Sequence, residues 1–197
     1  MKILEIIYRD ILHSFFTEWK TVFQQKDLAR KFDCSVSTVF HALKAPRRIG
    51  AVKVTGRNFS LADAEKLLTY WATRRRLSSE ILYETCSQDS AAKREGQMPP
   101  DVIFGCYSAY RLLYGNTPAD YDKVYVYAES ADGIKARFPK SNGPPNLTVL
   151  KSDPFLTSYG QMSPPVQVAA DLWNLTDWYA QDFLKALRLK LFTERGG

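Results

Sequence analysis

The sequence predicts an α+β chain in two parts, and three observations predict it. Apolar residues recur at helical spacing through the first eighteen positions; two short helical stretches then flank a tight turn and run into a small hairpin. Beyond position 100, strand-like and helix-like segments alternate, the pattern of a small α/β or α+β domain. The charge is uneven: residues 1–76 hold 15 Lys/Arg against 7 Asp/Glu, a balance of +8, while residues 77–197 hold 12 against 14, a balance of −2. A positive part joined to a nearly neutral one points only the first toward a polyanion.

Taken in order, Ile3, Ile6, Ile7, Ile11 and Leu12, continued by Phe15 and Phe16, predict a helix over residues 3–18. In "FQQKDLARKFDCSVSTVFHAL", Leu28, Ala29 and Phe32 mark a short second helix. Asp33 and Cys34 form a tight turn, and Ser35 caps a third helix whose buried stripe is Val36, Val39, Phe40 and Leu43. Two short helices about four residues apart have the spacing of a helix-turn-helix. Pro46 and Gly50 are expected to close the third helix, leaving Arg47 and Arg48 as a basic turn beyond it. "GAVKVTGRNFSL" alternates around Val52 and Val54, turns at 55–58 and resumes at Phe59 and Leu61, which predicts a hairpin, the wing of a winged helix. A helix over 63–74 with Leu67, Leu68 and Trp71 on one face completes a first domain, residues 1–76.

Residues 77–100 are read as a linker region, polar from Ser87 and ending in Pro99-Pro100, with a short strand at 81–83. Residues 101–197 then form the α/β domain: strands 102–104, 123–128 and 147–151, helix 107–114, a short helix near Ile134, and helices 165–175 and 178–192.

Composition narrows the class. No run approaches the 18 or so apolar residues of a membrane span, and Glu5 and Asp10 interrupt any signal-like stretch. Cys34, Cys86 and Cys106 are odd in number and widely spaced, against a disulfide framework or zinc. The expectation is a cytoplasmic protein with reduced thiols, no membrane association and no cofactor.

A recognition helix needs an apolar side to dock and a short polar side to enter the major groove. From its cap at Ser35 the third helix offers Ser37, Thr38, His41 and Lys44, with Arg47 and Arg48 following. Lys53 and Arg57 on the wing, and Lys26 and Arg30 on the preceding helix, are candidates for phosphate contacts. The expected partner is double-stranded DNA with inverted half-sites, read by a homodimer. Trp173, Trp178, Tyr179 and Phe183 are candidates for the dimer interface.

Chemistry is harder to find. "GCYSAYRLLYGNTPADYDKVYVYAE" resembles the layout of a nucleotidyltransferase, with Gly105 to Ser108 at a phosphate-binding helix start and Asp120 and Asp122 as metal ligands, Asp171 being a possible third acid. The Gly-Ser pair is broken into Gly-Cys-Tyr-Ser, and after Asp122 no acid follows until Glu129. The only histidines, His13 and His41, both lie in the first part, which argues against Ser-His-Asp hydrolysis by the second. No catalytic residue is therefore assigned; metal-dependent nucleotidyl transfer through Asp120 and Asp122 is the alternative.

Three segments together resemble one family: "FQQKDLARKFDCSVSTVFHALKAPRRIGAVKVTG"; "GCYSAYRLL" followed by "YVYA"; and "NLTVLKSDPFL" with "SPPVQVAADLWNL". The chain is similar to the AbiEi family, antitoxins of type IV abortive-infection toxin–antitoxin systems and related transcriptional regulators. That resemblance implies a winged helix that binds inverted repeats in its own promoter and represses it. It also implies a C-terminal domain with a degenerate nucleotidyltransferase fold and antitoxin function, the active nucleotidyltransferase being a separate cognate toxin. Residues 35–44 match the recognition segment, while Gly105, Ser108, Ala109, Leu112 and Leu113 match a fold signature rather than catalytic machinery. The short, aromatic-rich C-terminal part departs from the antitoxin pattern, so a stand-alone regulator that lost its toxin is equally compatible; a protein-interaction antitoxin module with little DNA binding is the further alternative.

Overall fold

Helix α1 (Ile3–Glu18) has the bounds its apolar spacing predicts, and it buries Ile6, Ile7, Ile11 and Leu12 almost completely. Each such side chain contributes roughly 1.5–3 kcal/mol of burial. The computed structural model describes residues 1–193. The chain is α+β, with helices leading and a mixed α/β region following, and it divides into two units, Met1–Arg75 and Arg76–Gly197. No described helix is long and apolar enough to cross a membrane.

In the first unit α1 is followed by β1 (Val22–Gln24), α2 (Gln25–Lys31), α3 (Val36–Arg48), β2 (Val52–Thr55), β3 (Asn58–Leu61) and α4 (Ala64–Ala72). The strands form an antiparallel sheet ordered β1-β3-β2, with Phe23 opposite Phe59 and Val54 opposite Phe59 on the other side. The Phe23 and Phe59 rings stack at 5.4 Å, and both are buried. Strand β1 is an addition to the expected elements. Its three residues bury Phe23 alone, too little for an alternating pattern to register. Arg75, fully buried, closes the unit through an ion pair to Glu5 of α1 at 3.2 Å.

Two expectations for α3 are corrected. Its buried stripe is Val39, Ala42, Leu43 and Pro46, whereas Val36 and Phe40 are each 48% exposed. The sequence carries two overlapping apolar stripes, and the one with small Ala42 is the one that meets α1. The helix also runs through Pro46 to Arg48, so Arg47 and Arg48 belong to its last turn. Proline has no N–H for the carbonyl four residues earlier, that of Ala42. The buried Tyr8 hydroxyl of α1 donates to that carbonyl at 2.6 Å instead. A tertiary contact thus supplies the hydrogen bond that the proline removes.

In the second unit a four-stranded sheet has the order β4-β7-β6-β5, from β4 (Ile81–Thr85), β5 (Ile103–Gly105), β6 (Val124–Ala128) and β7 (Leu147–Lys151). Only β6 and β7 run parallel. Every residue of β6 is buried, as expected of a strand covered on both faces. One face packs Val124, Val126, Leu147 and Val149 against Met98, Ile134 and Phe138. The helices are α5 (Ala91–Gly96), α6 (Cys106–Tyr114), α7 (Asp132–Arg137), α8 (Pro165–Leu172) and α9 (Ala180–Phe192). The linker expected at 77–100 is corrected, because β4 pairs with β7 and α5 follows it, so the segment is part of this unit.

Candidate nucleic-acid interface

The turn before α3 is built by two residue types. Asp33 takes a left-handed backbone (φ 46°), which Asp tolerates better than most residues, and the Cys34 amide bonds the Ala29 carbonyl at 2.9 Å. Ser35 then caps α3, its hydroxyl accepting from the Thr38 amide at 3.0 Å and lying 2.9 Å from the Thr38 hydroxyl. Such a cap is worth about 1 kcal/mol. Both hydroxyls are thereby used at the helix start.

With Val39, Ala42, Leu43 and Pro46 turned inward, the outward face of α3 carries Val36, Ser37, Phe40, His41, Lys44, Arg47 and Arg48, all exposed. At 100° per residue these seven span an arc of about 140°. Beside them β2 and β3 form a hairpin closed by Gly56 and Arg57, with Gly56 left-handed (φ 59°) as a two-residue turn requires. Lys53 and Arg57 are exposed on it. A groove of about 380 Å³ lies between helix and hairpin, lined by Phe40, Leu43, Lys44, Arg47, Arg48 and Val54.

The electrostatics of this face are one-sided. Residues 34–62 contain five Lys/Arg, namely Lys44, Arg47, Arg48, Lys53 and Arg57, and no Asp or Glu. Among the described residues none of these five makes an ion pair, whereas Lys31, Lys66 and Arg75 of the same unit each have a carboxylate within 3.3 Å. On α2, Lys26 is exposed and Arg30 has only a long contact of 3.8 Å to Asp27. Five uncompensated cations around an open helix face raise the local concentration of polyanions and steer their approach. Of the Arg triplet after α4, Arg74 lies over the Tyr70 ring at 4.9 Å and Arg75 is buried, so the triplet is not a free basic tail.

The carboxylates proposed as metal ligands are arranged differently. Asp120 is exposed. Asp122 is held by the fully buried Arg94, which donates to its carboxylate at 2.7 Å, to its carbonyl, and to the Ser87 carbonyl at 3.1 Å. That pair pins the chain ahead of β6. Asp171 is buried on α8 and accepts from the Tyr127 hydroxyl. Among the described residues no group of three or more His, Cys, Asp or Glu side chains is placed to hold a metal ion.

The first turn of α6 has no opening for a phosphate, since Cys106, Tyr107 and Ser108 are all fully buried. Gly105 is needed for close packing: a Cβ there would stand 2.9 Å from the Tyr127 ring. The aromatic set of the last helices divides. Tyr179 and Phe183 are buried around Tyr107, at 4.8 and 4.9 Å between ring centroids. Trp173 and Trp178 are exposed, the latter by 77%.

Compared with known proteins, the chain matches no family model, no curated protein and no solved structure.

Proposed function

We propose that the chain is a sequence-specific double-stranded DNA-binding transcriptional regulator, an autorepressor of the AbiEi antitoxin type. In this reading the first unit is a winged helix-turn-helix, with α3 in the major groove and the β2–β3 hairpin as the wing. The observation that carries it is the acid-free, unpaired cationic face of α3 and the hairpin. Ser37 and His41 lie toward the N-terminal half of α3, where a recognition helix reads base edges. Lys44, Arg47, Arg48, Lys53 and Arg57 flank that half and suit phosphates. The helix order α1, α2, α3, then hairpin, supports the same assignment.

The second unit acts in this reading as a nucleotidyltransferase-like scaffold for a protein contact. The exposed Trp173 and Trp178 favour that use, first for a homodimer matching inverted half-sites and then for a cognate toxin. The engagement of Asp122 by Arg94 weighs against the alternative of metal-dependent nucleotidyl transfer through Asp120 and Asp122. Selection from a random duplex library with the full chain tests the proposal. Enrichment of one motif repeated in inverted orientation is expected, and a library left unenriched defeats it.

A further inference from the structure

The outward face of α3 is not wholly polar. Val36 and Phe40 stand one helical turn apart on it, each 48% exposed, and neither serves the core stripe. Single exposed apolar residues need no explanation. Here two are paired at i and i+4, in the N-terminal half of the helix. Successive positions set Val36 and Phe40 along one edge of the arc, Ser37 and His41 along the other, and Lys44 between them. The His41 ring lies edge-on to Phe40 at 5.9 Å.

The bases offer one apolar group on their major-groove edges, the C5-methyl of thymine. A helix face with two apolar side chains at its base-reading end and cations further along is complementary to a groove wall carrying thymine methyls between phosphates. A protein surface would equally meet apolar side chains, but the surrounding residues 34–62 offer five cations and no acid, which favours nucleic acid.

Resting on the DNA-binding reading above, we propose that Val36 and Phe40 are specificity-determining residues that read thymine through its C5-methyl group. Operator preference then follows apolar contact at one or two thymine positions in each half-site, beside the hydrogen bonds made by Ser37 and His41.

The test uses the full chain and the best duplex from a random-library selection, with each thymine replaced in turn by uracil, which lacks only the methyl. For the unaltered protein, one or two positions should lose about fourfold in affinity, the worth of one buried methyl. Phe40→Ala should bind thymine and uracil duplexes equally at the position Phe40 reads. Phe40→Leu, which keeps an apolar side chain, should retain the discrimination, and circular dichroism of both variants should match the parent. Uracil duplexes that bind as well as thymine duplexes everywhere overturn the proposal. So does a thymine preference that survives in both Phe40→Ala and Val36→Ala. Unchanged DNA affinity in those variants, with no methyl effect, assigns the two side chains to a protein contact instead. A chain that selects no sequence at all defeats the DNA-binding reading itself, a failure distinguishable from the others.

Discussion

Replacing Tyr8 with Phe tests how the cationic end of α3 is held in place. Helix α3 continues past Pro46 while the Tyr8 hydroxyl bonds the Ala42 carbonyl at 2.6 Å. Burial pushes the Tyr8 phenol well above its ordinary range, so it stays protonated and able to donate. Removing that hydroxyl leaves a buried carbonyl without its donor, at a cost of about 1–3 kcal/mol. Tyr70 also interacts with the Tyr8 hydroxyl, so a single variant mixes two effects. A double-mutant cycle with Pro46→Ala separates them, because alanine restores the N–H that can serve Ala42. Urea unfolding followed by the near-ultraviolet signal of the buried Trp71 is a suitable assay. At a slope near 1 kcal/mol per M, the midpoint of Tyr8→Phe should fall by about 1–3 M. In the Pro46→Ala background the cost of Tyr8→Phe should shrink by about 1 kcal/mol. Equal cost in both backgrounds would refute the pairing of Tyr8 with the proline gap.

Five phosphate contacts per chain, ten for the proposed dimer, predict a slope of log affinity against log salt of about −9, or roughly 10⁵-fold weaker binding from 50 to 200 mM salt. Lys53→Ala removes one contact from each subunit and should reduce that slope by about 1.8, while Lys93→Ala in the second unit leaves it unchanged; equal slopes for all three proteins would contradict the assignment. Light scattering should give a dimer mass for the full chain and a monomer mass for Trp178→Ala, and a monomeric parent would count against the exposed tryptophan face. Burial in α1 holds His13 below its ordinary value of 6.5, against the pull of Asp10 and Glu18. The unfolded chain therefore takes up this proton first, so the His13 contribution is intact above pH 6.5 and is lost as pH falls below it. Thermal melts from pH 7 to 5 should fall less steeply for His13→Gln, and parallel curves would remove His13 from the account.

Much of the fold was legible because local signals sufficed. The Ile3-to-Leu12 spacing marked α1, Ser35 marked the start of α3, and Leu67, Leu68 and Trp71 marked the buried side of α4. What escaped was decided by partners distant in sequence. Pro46 reads as a helix stop until Tyr8, 34 residues before Ala42, supplies the missing hydrogen bond. Val36 and Phe40 read as core until the packing side of α3 is fixed by Ala42. Residues 77–100 read as a linker because their polarity hides what anchors them: a buried Arg94 reaching Asp122 and a strand pairing with β7. Of the candidate interface, the basic residues were visible as types. Their freedom from carboxylates shows only in the structure, where Asp10 pairs with Lys31, Asp63 with Lys66 and Glu5 with Arg75.

The claim that α3 and the hairpin form a sequence-specific DNA-binding surface is tested most directly by one equilibrium titration. Full-length protein is added at physiological salt to a fluorescent duplex from its own upstream region and, in parallel, to a scrambled duplex of the same composition. Specific repression predicts binding to the upstream duplex tighter by about a thousandfold or more. Equal affinity for the two duplexes would contradict it.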